Sequence, residues 1–323
     1  MGGIKKYKKN NRKKVSLFPV EIEQVLSLQE AKQKAGWNIT AFNLPENWKI
    51  SKGENVKVAV LDTGVDLYHK DLIDNLLPGK NFIEKRNPPQ DGNGHGTHVA
   101  GIIAATNNDI GMVGVAPEAK IIPVKVLNDQ GDGFPKATAE GIMWAVDVAQ
   151  ADMICMSLGA PFLLSEVYKA IKHAWRKNVP CFVAAGNAGK TKEVFYPANY
   201  KETIAIGSIS ENFDRSSFSN TGTNLDFMAP GNKIFSTVPT NWYAIMSGTS
   251  QATPFVVGVA ALLLSYNKKN RNSIKLNSVE DYRRAFRRNA KPVKNMKWKD
   301  KKFYQGFGII DPVALMTDVS KLG

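Results

Sequence analysis

Cysteine is nearly missing from this chain: two residues in 323, Cys155 and Cys181. That is too few for a disulfide framework, so a reduced, intracellular setting is the expectation. Long apolar runs are missing too. The longest, Phe255 to Leu264, has ten residues, whereas a membrane-crossing helix takes about 18. No membrane span and no membrane partner are expected. The first fifteen residues are charged and polar where a secretory leader would be apolar. Also absent are zinc-binding spacings, internal repeats, an RNA-binding aromatic signature and a helix-turn-helix pattern. What is there is an ordinary globular composition, 43% hydrophobic and 22% charged, enough for one large domain or two small ones.

Acid is scarce at both ends. Met1–Lys14 carries seven Lys or Arg and no acid, and Lys268–Lys302 carries fourteen against three acids. Together they exceed the net charge of +14, so the body of the chain is acidic. A nucleic-acid partner therefore applies only to two end segments. Solvated charge is the preferred reading of both, and nucleic acid is not the expected partner.

After the basic tail, Leu17-Phe18-Pro19-Val20 forms a short apolar patch, and the composition of Glu21–Lys34 predicts a helix. The main domain is expected over 43–323, leaving 1–42 as an extension. Apolar runs then alternate with helical patterns. Strands are predicted at Val56–Leu61, Ile121–Leu127, Met153–Met156, Val179–Ala185 and Thr203–Ile206, and helices at Gly96–Ala105, Pro135–Ala149, Ser165–Lys177 and Ser250–Leu264. Strands apolar on both faces point to an α/β fold, a mostly parallel twisted sheet with helices on both sides. Such sheets bind ligands beyond the carboxyl ends of their strands.

Those ends carry a pattern. The first strand delivers Asp62-Thr63-Gly64, the block Gly94-His95-Gly96-Thr97-His98 runs into a helix, and Ser247-Gly248-Thr249-Ser250 opens another. A serine hydroxyl becomes a nucleophile near neutral pH when an imidazole takes its proton and a buried carboxylate fixes that imidazole's tautomer. His98, His69, His173 and Asp66 read as packing, surface or turn residues.

At these three blocks the chain resembles the subtilisin-like serine proteases: VAVLDTGVD, GHGTHVAG and SGTSQATPFVVG occur in the family's Asp–His–Ser order. The likeness runs from about Asn43 onward and includes GVAP, MSLG and GFGIID. It implies a subtilisin-like fold, endopeptidase activity on protein or peptide substrates, and a triad of Asp62, His95 and Ser250. It implies Asn187 as oxyanion donor, in the block Val183–Asn187, beside the backbone N–H of Ser250. Substrate would lie as a strand between Gly131-Asp132-Gly133 and Ser157-Leu158-Gly159. The primary pocket would be lined by Ala184, Ala185, Gly186 and Phe195, with Phe195 expected to disfavour large P1 side chains, and Phe134 would cap the P4 pocket. Gln251 stands where relatives carry methionine and has no sulfur to oxidise.

The same resemblance implies structural Ca2+. Its ligands would be the carbonyls of Thr106, Ile110 and Met112, the Asn108 side chain and the Asp71 carboxylate, with Gln29 or Gln33 as candidate glutamine ligand. A second cation site would use the carbonyls of Ala198, Tyr200 and Thr203. Intracellular subtilisins resemble the chain most closely, which implies a cytoplasmic enzyme. In them a short extension carries a motif to which Leu17-Phe18-Pro19-Val20 corresponds at two of its four residues. The extension would lie in the cleft as an inhibitory propeptide, and Pro19, with no N–H, would spoil its cleavage. Three alternatives stay open: a protease dedicated to maturing one precursor, a nucleic-acid-associated protein held by its basic ends, and a homodimer.

Overall fold

The computed structural model describes residues 14–27, 32–189, 193–271, 273–294, 296 and 301–321. Gln29 and the basic tail before Lys14 lie outside them. In chain order the elements begin with strands β1 (Val15–Leu17) and β2 (Glu21–Ser27), helices α1 (Trp37–Thr40) and α2 (Leu44–Trp48), and strands β3 (Lys57–Asp62) and β4 (Lys80–Asn81). There follow α3 (His95–Ala104), β5 (Lys120–Lys125), β6 (Asp132–Gly133), α4 (Pro135–Asp147), β7 (Met153–Met156), β8 (Leu158–Gly159) and α5 (Ser165–Arg176). The chain continues through β9 (Cys181–Ala184), β10 (Thr203–Ile209), β11 (Phe227–Pro230), β12 (Ile234–Val238) and β13 (Trp242–Ser247). It closes with α6 (Thr249–Lys269), α7 (Val279–Arg288), α8 (Lys301–Tyr304) and α9 (Pro312–Ser320).

Seven strands form the central sheet in the order β11-β10-β9-β7-β3-β5-β4, every pairing parallel. Strands β7, β9 and β10 are buried along their whole length, which is why their sequences are apolar without alternation. Helix α6, 21 residues long, is buried over most of its length and packs on β7, β9, β10 and β11. Its apolar length reflects a core position.

Among the described residues, the predicted helix at Glu21–Lys34 is not found. Residues 21–27 form strand β2, paired antiparallel with β13. Glu, Gln and Leu favour a helix locally, but the open edge of β13 offers a ladder of backbone bonds and wins. The first strand, β1, lies antiparallel between β6 and β8. Both strands of the extension thus complete sheets that belong to the main domain.

Among the described residues, five of the fourteen cations of the basic segment 268–302 pair with acids of the body. Lys268 pairs with Asp152, Lys269 with Glu54, Arg283 with Asp226, Arg288 with Asp318 and Lys291 with Asp311.

Candidate active site

Strand β3 ends on Asp62, fully buried. Its Oδ1 accepts from the Thr63 N–H at 2.7 Å. His95 Nδ1 lies 2.8 Å from Oδ1 and 3.0 Å from Oδ2. That contact gives the Nδ1–H tautomer and leaves Nε2 as the basic atom. Glycine at 96 is required here, since a Cβ would run into the Gly64 carbonyl.

Asp91, which the sequence pattern did not single out, sets the start of α3. Its Oδ1 accepts from Asn93 N, Gly94 N and Thr63 Oγ1 at 2.8–2.9 Å, and its Oδ2 from the Thr97 N–H at 2.9 Å and hydroxyl at 2.6 Å. A carboxylate at a helix N-terminus satisfies orphan donors and complements the dipole. It also joins the Asp62 turn to the His95 helix through Thr63, whose hydroxyl accepts from Gly96 N at 3.0 Å.

His98 lies in the same helix with a different role. Its Nε2 is 3.1 Å from the Ala244 carbonyl, and complete burial holds its pKa down at about 3. It is a neutral packing residue. His69 and Asp66 are not surface groups: both are buried. His69 sits edge-on to Tyr243 and accepts from the Asp71 N–H, and Asp66 receives Tyr68 N and Thr240 N.

Ser250 occupies the first turn of α6. In the covered cleft its hydroxyl is turned to the Ser157 carbonyl at 3.4 Å, and His95 Nε2 is buried without a hydrogen-bond partner. The Asp62–His95 leg is made and the His95–Ser250 leg is not.

The side chain of Asn187 is clamped. Its Oδ1 accepts from the Thr249 N–H at 2.9 Å and the Thr249 hydroxyl at 2.8 Å. The amide nitrogen is therefore aimed outward, and it donates to the Pro19 carbonyl at 2.9 Å. Gly248, before Thr249, has no room for a Cβ, which would lie 2.9 Å from Asn187 Nδ2 and 2.8 Å from Gln251 Oε1. Gln251 is fully buried, and its amide makes no hydrogen bond within the protein.

The extension runs through the groove as a bound peptide would. Val15 pairs with Gly133, Ser16 with Asp132 and Gly159, and Leu17 with Leu158. The Leu17 N–H donates to the Gly131 carbonyl at 2.9 Å. Glycines at 131 and 159 permit this approach: a Cβ would lie 2.9 Å from Leu17 Cδ1 at the first and 2.7 Å from Phe18 Cζ at the second. Val15 is fully buried, whereas Phe134 is 46% exposed and lines a hollow with Leu163 and Leu164.

Phe18 packs beside Phe195, the two ring centroids 5.8 Å apart. This packing places a phenyl group of the chain itself against Phe195, the residue expected to disfavour large side chains. The Phe195 ring leans on Gly186, where a Cβ would stand 3.1 Å from its Cδ2. It forms a wall and leaves room for a phenyl group, with Ala184 and Ala185 buried in and after β9.

The loop after α3 gathers oxygens. Gln33 Nε2 lies 2.9 Å from the Thr106 carbonyl, 3.4 Å from Ile110 and 3.0 Å from Met112. Asp71, buried, receives Met112 N and Tyr243 OH on one oxygen and Asn108 Nδ2 on the other. At 198–203 one hydroxyl lies within reach of two of the expected carbonyls. The Thr203 hydroxyl donates to the Tyr200 carbonyl at 2.8 Å and lies 3.1 Å from that of Ala198. The Thr203 carbonyl accepts from Arg283, which also pairs with Asp226.

Comparison with known proteins agrees with this geometry. The model of the Subtilase family matches residues 53–308. Thermitase of Thermoactinomyces vulgaris is 46% identical over 229 residues, 71% of this chain and 81% of the relative. The major intracellular serine protease of Bacillus subtilis is 43% identical over 267 residues, 79% of this chain and 82% of the relative. An intracellular serine protease of Paenibacillus polymyxa is 43% identical over 261 residues, 78% of each. A parallel α/β sheet, a buried Asp–His pair beside a serine at a helix start, and a family match over most of the length leave one assignment: the chain belongs to the subtilase family and is a serine endopeptidase.

Proposed function

We propose that this protein cleaves peptide bonds through Asp62, His95 and Ser250, and that it is made as a calcium-stabilised precursor covered by its own extension. The observation that carries the reading is a main-chain carbonyl, that of Pro19, held by Asn187 Nδ2 in a groove beside Ser250. In a cleavable peptide that carbonyl carbon is attacked by Ser250 Oγ. The hydroxyl proton passes to His95 Nε2, Asp62 stabilises the resulting imidazolium, and Asn187 with the Ser250 N–H takes the oxyanion. His95 then gives the proton to the departing amine, and water releases the acyl group by the reverse path.

The extension is seated one residue out of step. Phe18 fills the side-chain pocket, but the carbonyl on Asn187 belongs to Pro19. In a substrate both belong to the same residue. The proline lacks an N–H and fixes φ, which keeps this peptide out of the register of a cleavable one. Removal of the segment is what would release activity. The names of the relatives from Bacillus and Paenibacillus support a cytoplasmic place of action.

Fluorophosphonate labelling read by mass spectrometry tests the assignment. Adduct is expected on Ser250 alone, weak in the intact chain and strong once the extension is trimmed. Labelling elsewhere, or none after trimming, would count against the triad.

Calcium fits the loop at 106–112. Three carbonyls converge on the Gln33 amide, with Asp71 and Asn108 beside them. Turning that amide about its own axis would present an oxygen in place of the nitrogen, giving the all-oxygen set this ion requires. The metal would tie the loop to residue 33; it takes no part in the chemistry. Metal-free protein is expected to melt several degrees lower and to recover on adding Ca2+. At a hundredfold excess over Kd, linkage is worth about 2.7 kcal/mol. An unchanged melting temperature after EDTA and desalting would count against the site.

A further inference from the structure

The charged side chains of the extension meet charges on the groove walls that peptide hydrolysis does not use. On the amino side, Ser16 Oγ donates to Asp132 Oδ1 at 2.7 Å and Lys14 Nζ to Asp132 Oδ2 at 2.8 Å. These two donors hold the Asp132 carboxyl below the usual carboxylate range. On the carboxyl side, Glu23 Oε1 accepts from the Ser247 hydroxyl at 2.9 Å, and Lys233 Nζ lies 3.5 Å from its Oε2. The Ser247 hydroxyl is oriented for this, since it accepts from the Lys233 N–H at 2.8 Å.

The register explains why Glu23 reaches that pair. Ile245 is opposite Gln24 and Met246 opposite Ile22, so Glu23 is the extra residue of a β-bulge. A bulge re-aims the side chain it carries. The Glu23 side chain is 25% exposed, against 65% for Lys233. The wall is thus negative before the reaction centre and positive after it.

We propose that Asp132 on one side and Lys233 with Ser247 on the other are specificity-determining residues, favouring peptides with a basic residue four positions before the P1 residue and an acidic residue about five positions after it. This rests on the reading of the cleft as a protease groove. The extension reaches the main-chain ladder in register from Val15 to Leu17, so the position of Lys14 is that of a substrate side chain. The slip at Pro19 limits the second assignment to one residue either way. Each contact is an exposed pair, worth up to about fivefold in binding, and inverting both charges adds repulsion.

Two arms test this. In the intact chain, Lys14→Glu combined with Glu23→Lys is expected to raise turnover of a neutral peptide about tenfold over the parent, because the extension no longer matches the walls. In the trimmed protein, two peptides sharing the core Val-Ser-Leu-Phe are compared at low salt, one with Lys before and Glu after, the other with the two exchanged. The matched peptide is expected to show about tenfold higher kcat/KM, with the gap shrinking in 0.5 M salt and in Asp132→Asn and Lys233→Ala. Equal kcat/KM for the two peptides, or a gap that both variants leave untouched, would overturn the proposal. In that event normal cleavage of a neutral peptide with the same core would leave the endopeptidase reading standing.

Discussion

Replacing Asn187 by Ala is expected to slow peptide hydrolysis about 10²–10³-fold, almost entirely in kcat; the magnitude is borrowed from the same donor measured in a subtilisin. The structural ground is specific to this chain. Asn187 Oδ1 is tied by both the N–H and the hydroxyl of Thr249, so Nδ2 is aimed before substrate arrives and spends nothing on reorientation. A ground-state carbonyl gains little from that donor, whereas an oxyanion in a site closed to water gains much, which separates kcat from KM. The Ser250 N–H remains in the variant, so some turnover should persist. Michaelis parameters on trimmed protein, with a melting curve to confirm folding, check this. A fall of less than tenfold in a folded variant would remove Asn187 from the role.

A protein that starts at Lys32, and so keeps Gln33 but loses β1 and β2, should turn over a peptide at about 10 μM on the order of a hundred times faster than the full chain. Tethering places the extension at an effective concentration in the millimolar range, so it outcompetes dilute substrate without needing high intrinsic affinity. The gain should shrink as substrate approaches millimolar levels. A synthetic peptide of residues 14–27 added to the shortened enzyme should inhibit it. Equal rates for the two forms at low substrate would mean that the extension does not compete for the cleft.

The sheet and the candidate residues of the site were legible because each is written within a short stretch. Strands buried on both faces have no polar face to show, so β7 and β9 stand out as unbroken apolar runs. Asp62, His95 and Ser250 each sit in a motif whose glycines mark close approach. What was not legible is set by residues far away in sequence. Strand β2 exists because β13, more than 200 residues later, leaves an edge unpaired. Asp91 looks like any loop acid until its six-residue reach to Thr97 and its contact with Thr63 are seen. For Phe195 residue size is visible in the sequence, but the orientation of the ring against Phe18 is not. The contact of Arg283 with the Thr203 carbonyl was not legible either, since that side chain arrives from another helix.

Strand β13 has a further consequence for how this protein behaves in concentrated solution. Its six residues, Trp242 to Ser247, contain no charge and no proline and are rich in aromatic and aliphatic side chains. One edge is paired with β12 and the other with β2 alone. Losing β2 uncovers a bare, uncharged strand edge, the feature that recruits foreign strands into aggregates. β2 blunts that hazard with Glu21 and Glu23 and presents a charged, exposed outer row instead. The full chain is therefore the form suited to storage at high concentration, and loss of β2 would trade colloidal stability for an open cleft.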